Sequence, residues 1–243
     1  MARRRTRARS PPRAIALRPH TGIENIPSPM KASVLQVQRR DALCNRRNPE
    51  VCWPQKEPMR IESEKKLFTS DDINKMYDAG ILGTDDRVEL LDGEILLMNP
   101  GRKHAACADR ANAFFTEALG RRAIVSIQNP VVIDIYNEPK PDVLILKYRD
   151  DFYASIDRTA EDVLLVIEIS DTTLAIDQKR KLPHYAASGI SELWIEDLRH
   201  DLLLVHREPV GHDYTTCLTF RRGDSVSPLA FPDVAIKVSD LLG

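Results

Sequence analysis

The sequence contains no apolar run approaching the roughly 18 residues that a bilayer-spanning helix needs. Its four cysteines, Cys44, Cys52, Cys107 and Cys217, form no C-x-x-C pair, which argues against a zinc ribbon. They make no dense disulfide framework either, and a reducing cytoplasm is the default compartment. No glycine-rich phosphate cradle is present, so a hydrolase acting on a small phosphorylated substrate lacks its usual binding loop. The Arg-rich N-terminus is not followed by a long apolar core and makes a poor secretory signal. Internal repeats are absent, and nothing calls for an organic cofactor.

The charge is nearly balanced overall, at −1, but unevenly spread. Residues 1–60 hold 14 of the 35 Lys/Arg and 4 of the 36 Asp/Glu, leaving 21 and 32 for the rest. A basic segment therefore precedes an acidic body. Residues 1–60 are rich in Pro and Arg with no sustained apolar period, and read as disordered. An Arg-rich tail can grip phosphates, but the favoured reading is an inert tail or a misplaced start, since Met59 stands just before the folded pattern. Residues 61–243 are expected to form the folded domain.

Thr69 or Ser70 caps an expected short helix through Ile73, Met76 and Tyr77 to Gly80. Asp92-Gly93 between two apolar runs predicts a two-residue hairpin. A helix is expected over 103–119, closed by Gly120, followed by strands at 123–128 and 131–135. Gln128 is expected to project from a central strand. The runs Val143–Leu146 and Val163–Ile167 are continuously apolar, as strands covered on both faces are. A helix is placed between Leu174 and Ser188, although Pro183 inside it removes a backbone bond. Strands at 193–196 and 202–206, a weaker one at 214–220 and a short helix at 238–242 complete the chain. The fold class is α/β of the α+β kind, a mixed sheet with flanking helices.

Each of the two covered strands carries a carboxylate. Asp142 leads into the first and Glu168 ends the second. Buried carboxylates side by side lose hydration and repel, unless a cation lies between them. That arrangement suggests a divalent metal site built on a sheet, with Asp142, Glu168 and the main-chain oxygen of Ile169 as ligands. Mg²⁺ is the first candidate and Mn²⁺ the second. Lys181 would stabilise charge near a phosphodiester attacked by water. Glu89 and His104 are further catalytic candidates, each with a plain alternative: a solvent-facing strand residue and a helix-opening histidine. A structural ion pair between Glu168 and Lys181 is the competing reading of those two.

Six pieces of sequence in order carry a resemblance. They are Val88–Ile95, His104 at a helix start, Pro141–Leu144, Val166–Ser170, Asp177–Tyr185 and Gly189–Asp197. From about Leu67 to Leu242 the chain resembles the Uma-type restriction endonucleases of the PD-(D/E)XK nuclease superfamily. The resemblance implies a restriction-endonuclease-like core, a Mg²⁺-type metal, and Asp142 and Glu168 as the acidic members of the signature. The superfamily lysine lies two residues after the second acid, where this chain has Ser170. The resemblance points to a lysine relocated to the following helix, and Lys181 matches best. Asp177, four residues earlier, is spaced to orient its amine.

The leading expectation is a metal-dependent DNA endonuclease, acting as a homodimer so that two sites meet two strands. The alternative is a catalytically inactive nuclease-like module for nucleic-acid binding or oligomerisation, favoured by Ser170. The acidic body opposes a polyanion at long range, and a local cleft with Arg102, Lys103, Lys140 and Lys181 is expected to offset it.

Overall fold

The computed structural model describes residues 65–83 and 85–243. The expectations for residues 1–60 lie outside the described residues. Helix α1 (Ser70–Asp78) opens with Thr69 as N-cap, whose hydroxyl accepts from Asp72 N while the Asp72 carboxylate accepts from Thr69 N. This reciprocal pair satisfies two amide groups that a helix start leaves free. Strands β1 (Val88–Leu91) and β2 (Glu94–Leu97) form the hairpin, with Asp92 and Gly93 at φ 54° and 70°. Both turn residues are left-handed, as the tight turn demands. Helix α2 (Arg102–Leu119) follows and stops at Gly120, also left-handed.

The central sheet has six strands: β3 (Ala123–Ile127), β4 (Val143–Lys147), β5 (Val163–Ser170), β6 (Glu192–Asp197), β7 (Leu202–Val210) and β8 (Asp213–Arg221). They lie side by side in chain order, with β5 and β6 parallel and every other pair antiparallel. A two-stranded ribbon, β9 (Ser225–Val226) with β10 (Ile236–Lys237), and helix α5 (Val238–Leu242) end the chain.

Alternation along the strands divides the core in two. Val143, Ile145, Leu165, Ile167 and Trp194 pack with Phe115 of α2 and Leu241 of α5 on one face. Leu144, Leu146, Val166, Leu193 and Ile195 face Leu182, Tyr185 and Ala186 on the other. Both layers are needed to cover β4, β5 and β6, and this is why their sequences are apolar without alternation. Each fully buried large side chain contributes roughly 1.5–3 kcal/mol.

Three sequence expectations change. The segment 131–135 is not a strand. It is a loop with isolated bridges at Val132 and Asp134, where Asn129-Pro130 has already broken the pairing. Strand β3 is an edge strand, not a central one, and Gln128 lies just beyond it at φ 51°. The helix expected over 174–188 runs without a gap from Leu174 to Ala187, but its middle turn is π-helical: α3 (Leu174–Ile176), a π-helical turn (Asp177–Lys181) and α4 (Leu182–Ala187). Pro183 lies just beyond the π-helical turn, and Leu182 N–H bonds Asp177 O, one residue further back than in an α-helix. The wide turn before it carries the chain past the proline.

Candidate active site

Register builds the site. Val143 pairs with Ile167, so Asp142 and Glu168 stand at the same end of neighbouring strands. That sheet end opens into a cavity of about 410 Å³. Glu89 enters from the β1–β2 hairpin, His104 from the first turn of α2, and Asp177 and Lys181 from the π-helical turn. All five side chains named as catalytic candidates from the sequence, Glu89, His104, Asp142, Glu168 and Lys181, line this one cavity, with Ile169 beside them.

Lys181 is the electrostatic centre. Its Nζ lies 2.9 Å from Glu89 Oε2, 3.3 Å from Glu168 Oε1 and 3.8 Å from Asp177 Oδ1, with only 4% of its side chain exposed. Burial pulls its pKa down, but Glu168, Glu89 and Asp177 outweigh that and hold the amine protonated above the ordinary lysine value. Burial drives Glu168 well above the usual carboxylate range. Lys181 opposes the shift, and Asp177, Asp142 and Glu89 add to it. Asp177 is also raised by burial, against the pull of Lys181 and a hydrogen bond from Ser170.

The departure from the superfamily motif acquires a structural account here. The Ser170 hydroxyl donates to Asp177 Oδ2, and Thr173 donates to the same oxygen at 3.0 Å. Asp177 in turn faces Lys181. The serine in the motif's lysine position thus anchors the carboxylate that faces the Lys181 amine. Of the basic run, only Lys181 turns inward. Arg180 reaches Asp92 and Glu94, and Lys179 is exposed.

Asp142 is 2% exposed, and one of its oxygens is fully used. Oδ2 accepts from Ile169 N at 2.9 Å and lies 2.9 Å from His104 Nε2. Oδ1 is buried with no hydrogen-bond partner among the described residues. Glu168 Oε1 accepts from the Tyr185 hydroxyl at 2.7 Å, and the Tyr185 side chain is also buried in the core. The Glu89 carboxylate accepts from Lys140 N at 3.3 Å.

Two features were not legible beforehand. Glu196, on β6 beside Ile169, is fully buried, with neither oxygen hydrogen-bonded among the described residues. Burial pushes its pKa up to about 8; Asp142 adds to the shift and Arg110 opposes it. The expected basic cleft is also absent in that form: Arg102 and Lys103 are exposed and line no part of the cavity, and Lys181 is engaged by carboxylates.

The donor set suits a hard divalent cation. Four buried carboxylates, Glu89, Asp142, Glu168 and Asp177, face one buried ammonium, leaving negative charge in excess. The orphaned Asp142 Oδ1 is the oxygen an ion would satisfy. Among the described residues no three His, Cys, Asp or Glu side chains are grouped so as to hold a metal ion by themselves.

Comparison with known proteins follows the same line. A family model described as "Uma2: Putative restriction endonuclease" matches residues 71–239. The chain is similar to a crystal structure described as a putative nuclease belonging to DUF820 from Anabaena variabilis, with a TM-score of 0.60 and 19% identity. The match covers 72% of this chain and 97% of that one, and at this identity it establishes a shared fold. No curated protein matches the chain. Among the described residues no helix is long and apolar enough to cross a membrane.

Proposed function

This chain belongs to the Uma2 family of nucleases, and on that premise we propose that its cavity hydrolyses phosphodiester bonds of DNA as a Mg²⁺- or Mn²⁺-dependent endonuclease. The observation that carries the reading is Asp142 Oδ1, a buried carboxylate oxygen without a partner, in a cavity where acids outnumber the one amine.

Asp142, Glu168 and the main-chain oxygen of Ile169 would hold the ion, which when bound supplies neutralising charge at the phosphate and a more acidic water. The protein's own groups do the rest. His104 and Ile169 N fix the Asp142 carboxylate through one oxygen and leave the other free. Tyr185 fixes Glu168 in the same manner. Lys181, kept protonated by its carboxylates, cannot take a proton from water; its task is to stabilise negative charge that develops on the phosphate oxygens. Glu89 and Asp177 hold that amine in place. A second copy of the chain would bring a second site to the opposite strand.

The test is cleavage of supercoiled plasmid by the full chain with Mg²⁺ or Mn²⁺, against a chelator control. Nicking that disappears in Asp142→Asn and Glu168→Gln supports the reading. Intact DNA with both ions, from folded protein, overturns it. A second reading, an inactive nuclease-like module, is favoured by Ser170 in the motif's lysine position and by the three carboxylates already facing Lys181. Calorimetric ion uptake that depends on Asp142 and Glu168 would rule it out.

A further inference from the structure

A second cavity, of about 340 Å³, adjoins the first, and Met98 and Pro100 line both. Its lining carries two cations, Arg87 and Lys140, and one carboxylate, Asp86, with Gln128 and the ring of Tyr77, so positive charge is in excess. Neither cation has a carboxylate within ion-pair distance among the described residues. Arg87 Nη1 instead donates to Gln128 Oε1 at 3.2 Å, and Lys140 Nζ rests 5.9 Å from the centre of the Tyr77 ring. Both are weak substitutes for an anion, and both leave donor N–H groups open. The Asp86 carboxylate is held toward its own turn, where Oδ2 accepts from Gly83 N at 2.7 Å, and forms no ion pair with either cation among the described residues.

The chain registers the two cavities to each other. Arg87 precedes Glu89 by two residues, and Lys140 precedes Asp142 by two. Met98 N bonds Arg87 O, which continues the β1–β2 ladder and keeps 87–89 extended. Lys140 lies between Pro139 and Pro141, which disfavours helical backbone. A two-residue step in extended chain keeps side chains on one face and advances about 6–7 Å. Acids thus gather in one cavity and cations in the next, offset by that step along two separate segments. The charges of a nucleic-acid strand recur about every 3.4 Å of axis, so the offset spans one or two nucleotides. Gln128 is held between them: its N–H donates to Asp142 O at 3.2 Å, and its φ of 51° turns the side chain toward Arg87.

We propose that this second cavity is a phosphate subsite, in which Arg87 and Lys140 grip the DNA phosphate flanking the one that is cut. The proposal rests on the nuclease reading for its substrate. On binding, Arg87 leaves Gln128 and Lys140 leaves the Tyr77 ring for the phosphate oxygens. The subsite supplies the local positive charge that an acidic body otherwise lacks, and it fixes the scissile phosphate over Asp142 and Glu168.

The test uses the full chain and a fluorescein-labelled DNA oligonucleotide, bound in chelator by anisotropy and cut in Mg²⁺ or Mn²⁺. The double variant Arg87→Gln/Lys140→Gln is expected to weaken binding about tenfold or more, as loss of charge-assisted hydrogen bonds does. Its dependence of log affinity on log salt should fall by about 0.7–0.9, the value for one phosphate. KM should rise by a similar factor with kcat retained, and Lys140→Arg should restore most of the loss. A scan with neutral methylphosphonates on the wild-type protein needs no variant: one position flanking the cut should carry the same loss. Unchanged affinity and salt slope in the folded double variant, or a flat scan, overturns the subsite while leaving the nuclease intact. Wild-type protein that binds DNA but never cuts it, with the double variant weakened, overturns the nuclease and keeps the subsite. Wild-type protein that binds no DNA overturns both.

Discussion

Replacing Lys181 with methionine keeps the side chain's length and removes its charge. The ammonium is 4% exposed and lies within 3.8 Å of three carboxylates that are themselves buried. Removing one partner of a buried ion pair costs about 3–5 kcal/mol, because the other partner stays behind uncompensated. For a domain of this size that lowers the melting temperature by roughly 6–20 °C. The pH dependence gives a sharper signature. Glu168 and Asp177 have folded-state values above their ordinary 4.5 and 3.8, so the fold loses stability as rising pH ionises them. Lys181 offsets that loss, and without it the deficit grows from the ordinary carboxylate range upward. Urea unfolding of metal-free Lys181→Met and wild type, from pH 4.5 to 8.5, is therefore expected to diverge with rising pH. Adding Glu89→Gln to the variant should recover part of the difference, and so should Mg²⁺. A cost below about 1 kcal/mol that is independent of pH would show a solvated lysine and refute the reasoning.

Three further outcomes follow from particular contacts. Glu196, raised to about 8 from an ordinary 4.5, makes the metal-free fold lose up to a few kcal/mol as pH rises across that interval. Glu196→Gln should flatten this limb in thermal melts and be the more stable form above pH 8. Ser170→Ala removes a buried donor to Asp177 and should cost about 1–3 kcal/mol in urea unfolding, with a fall in cleavage rate that matches Asp177→Asn. Gly93→Ala places a Cβ 2.7 Å from Leu67 Cβ at φ 70°. It should lower stability by about 1 kcal/mol or more, read as a drop in melting temperature.

Local chemistry in the sequence marked most elements. Asp92-Gly93 fixed the hairpin, Thr69 and Gly120 bounded their helices, and the apolar runs of β4 and β5 declared burial on both faces. The failures are non-local. The chain at 131–135 has strand-like composition, but no neighbouring strand offers it a continuous ladder. The run from Leu174 to Ser188 has helical composition throughout. Its widened turn answers to Pro183 and to the burial of Asp177 and Lys181, neither of which leaves a periodic trace. Asp142, Glu168 and Glu89 stand out in the sequence as acids beside apolar runs, whereas Lys181 and His104 are matched through the family resemblance. Glu196 also follows an apolar pair, yet nothing in Trp194-Ile195-Glu196 reveals that no donor reaches it. The second cavity draws on residues 77, 87, 128 and 140, whose proximity only the fold creates.

The wide turn at Asp177–Lys181 has one more implication. An α-helix rotates by about 100° per residue, so one extra residue in a single turn swings everything beyond it by that angle relative to an uninterrupted helix. Deleting Gln178 or Lys179 would let the ladder close in ordinary i→i−4 register and would point the amine elsewhere. Natural or engineered shortening at this spot should therefore yield a sturdier backbone around a disarmed cavity, and length here, more than identity, is what a comparison of relatives ought to inspect.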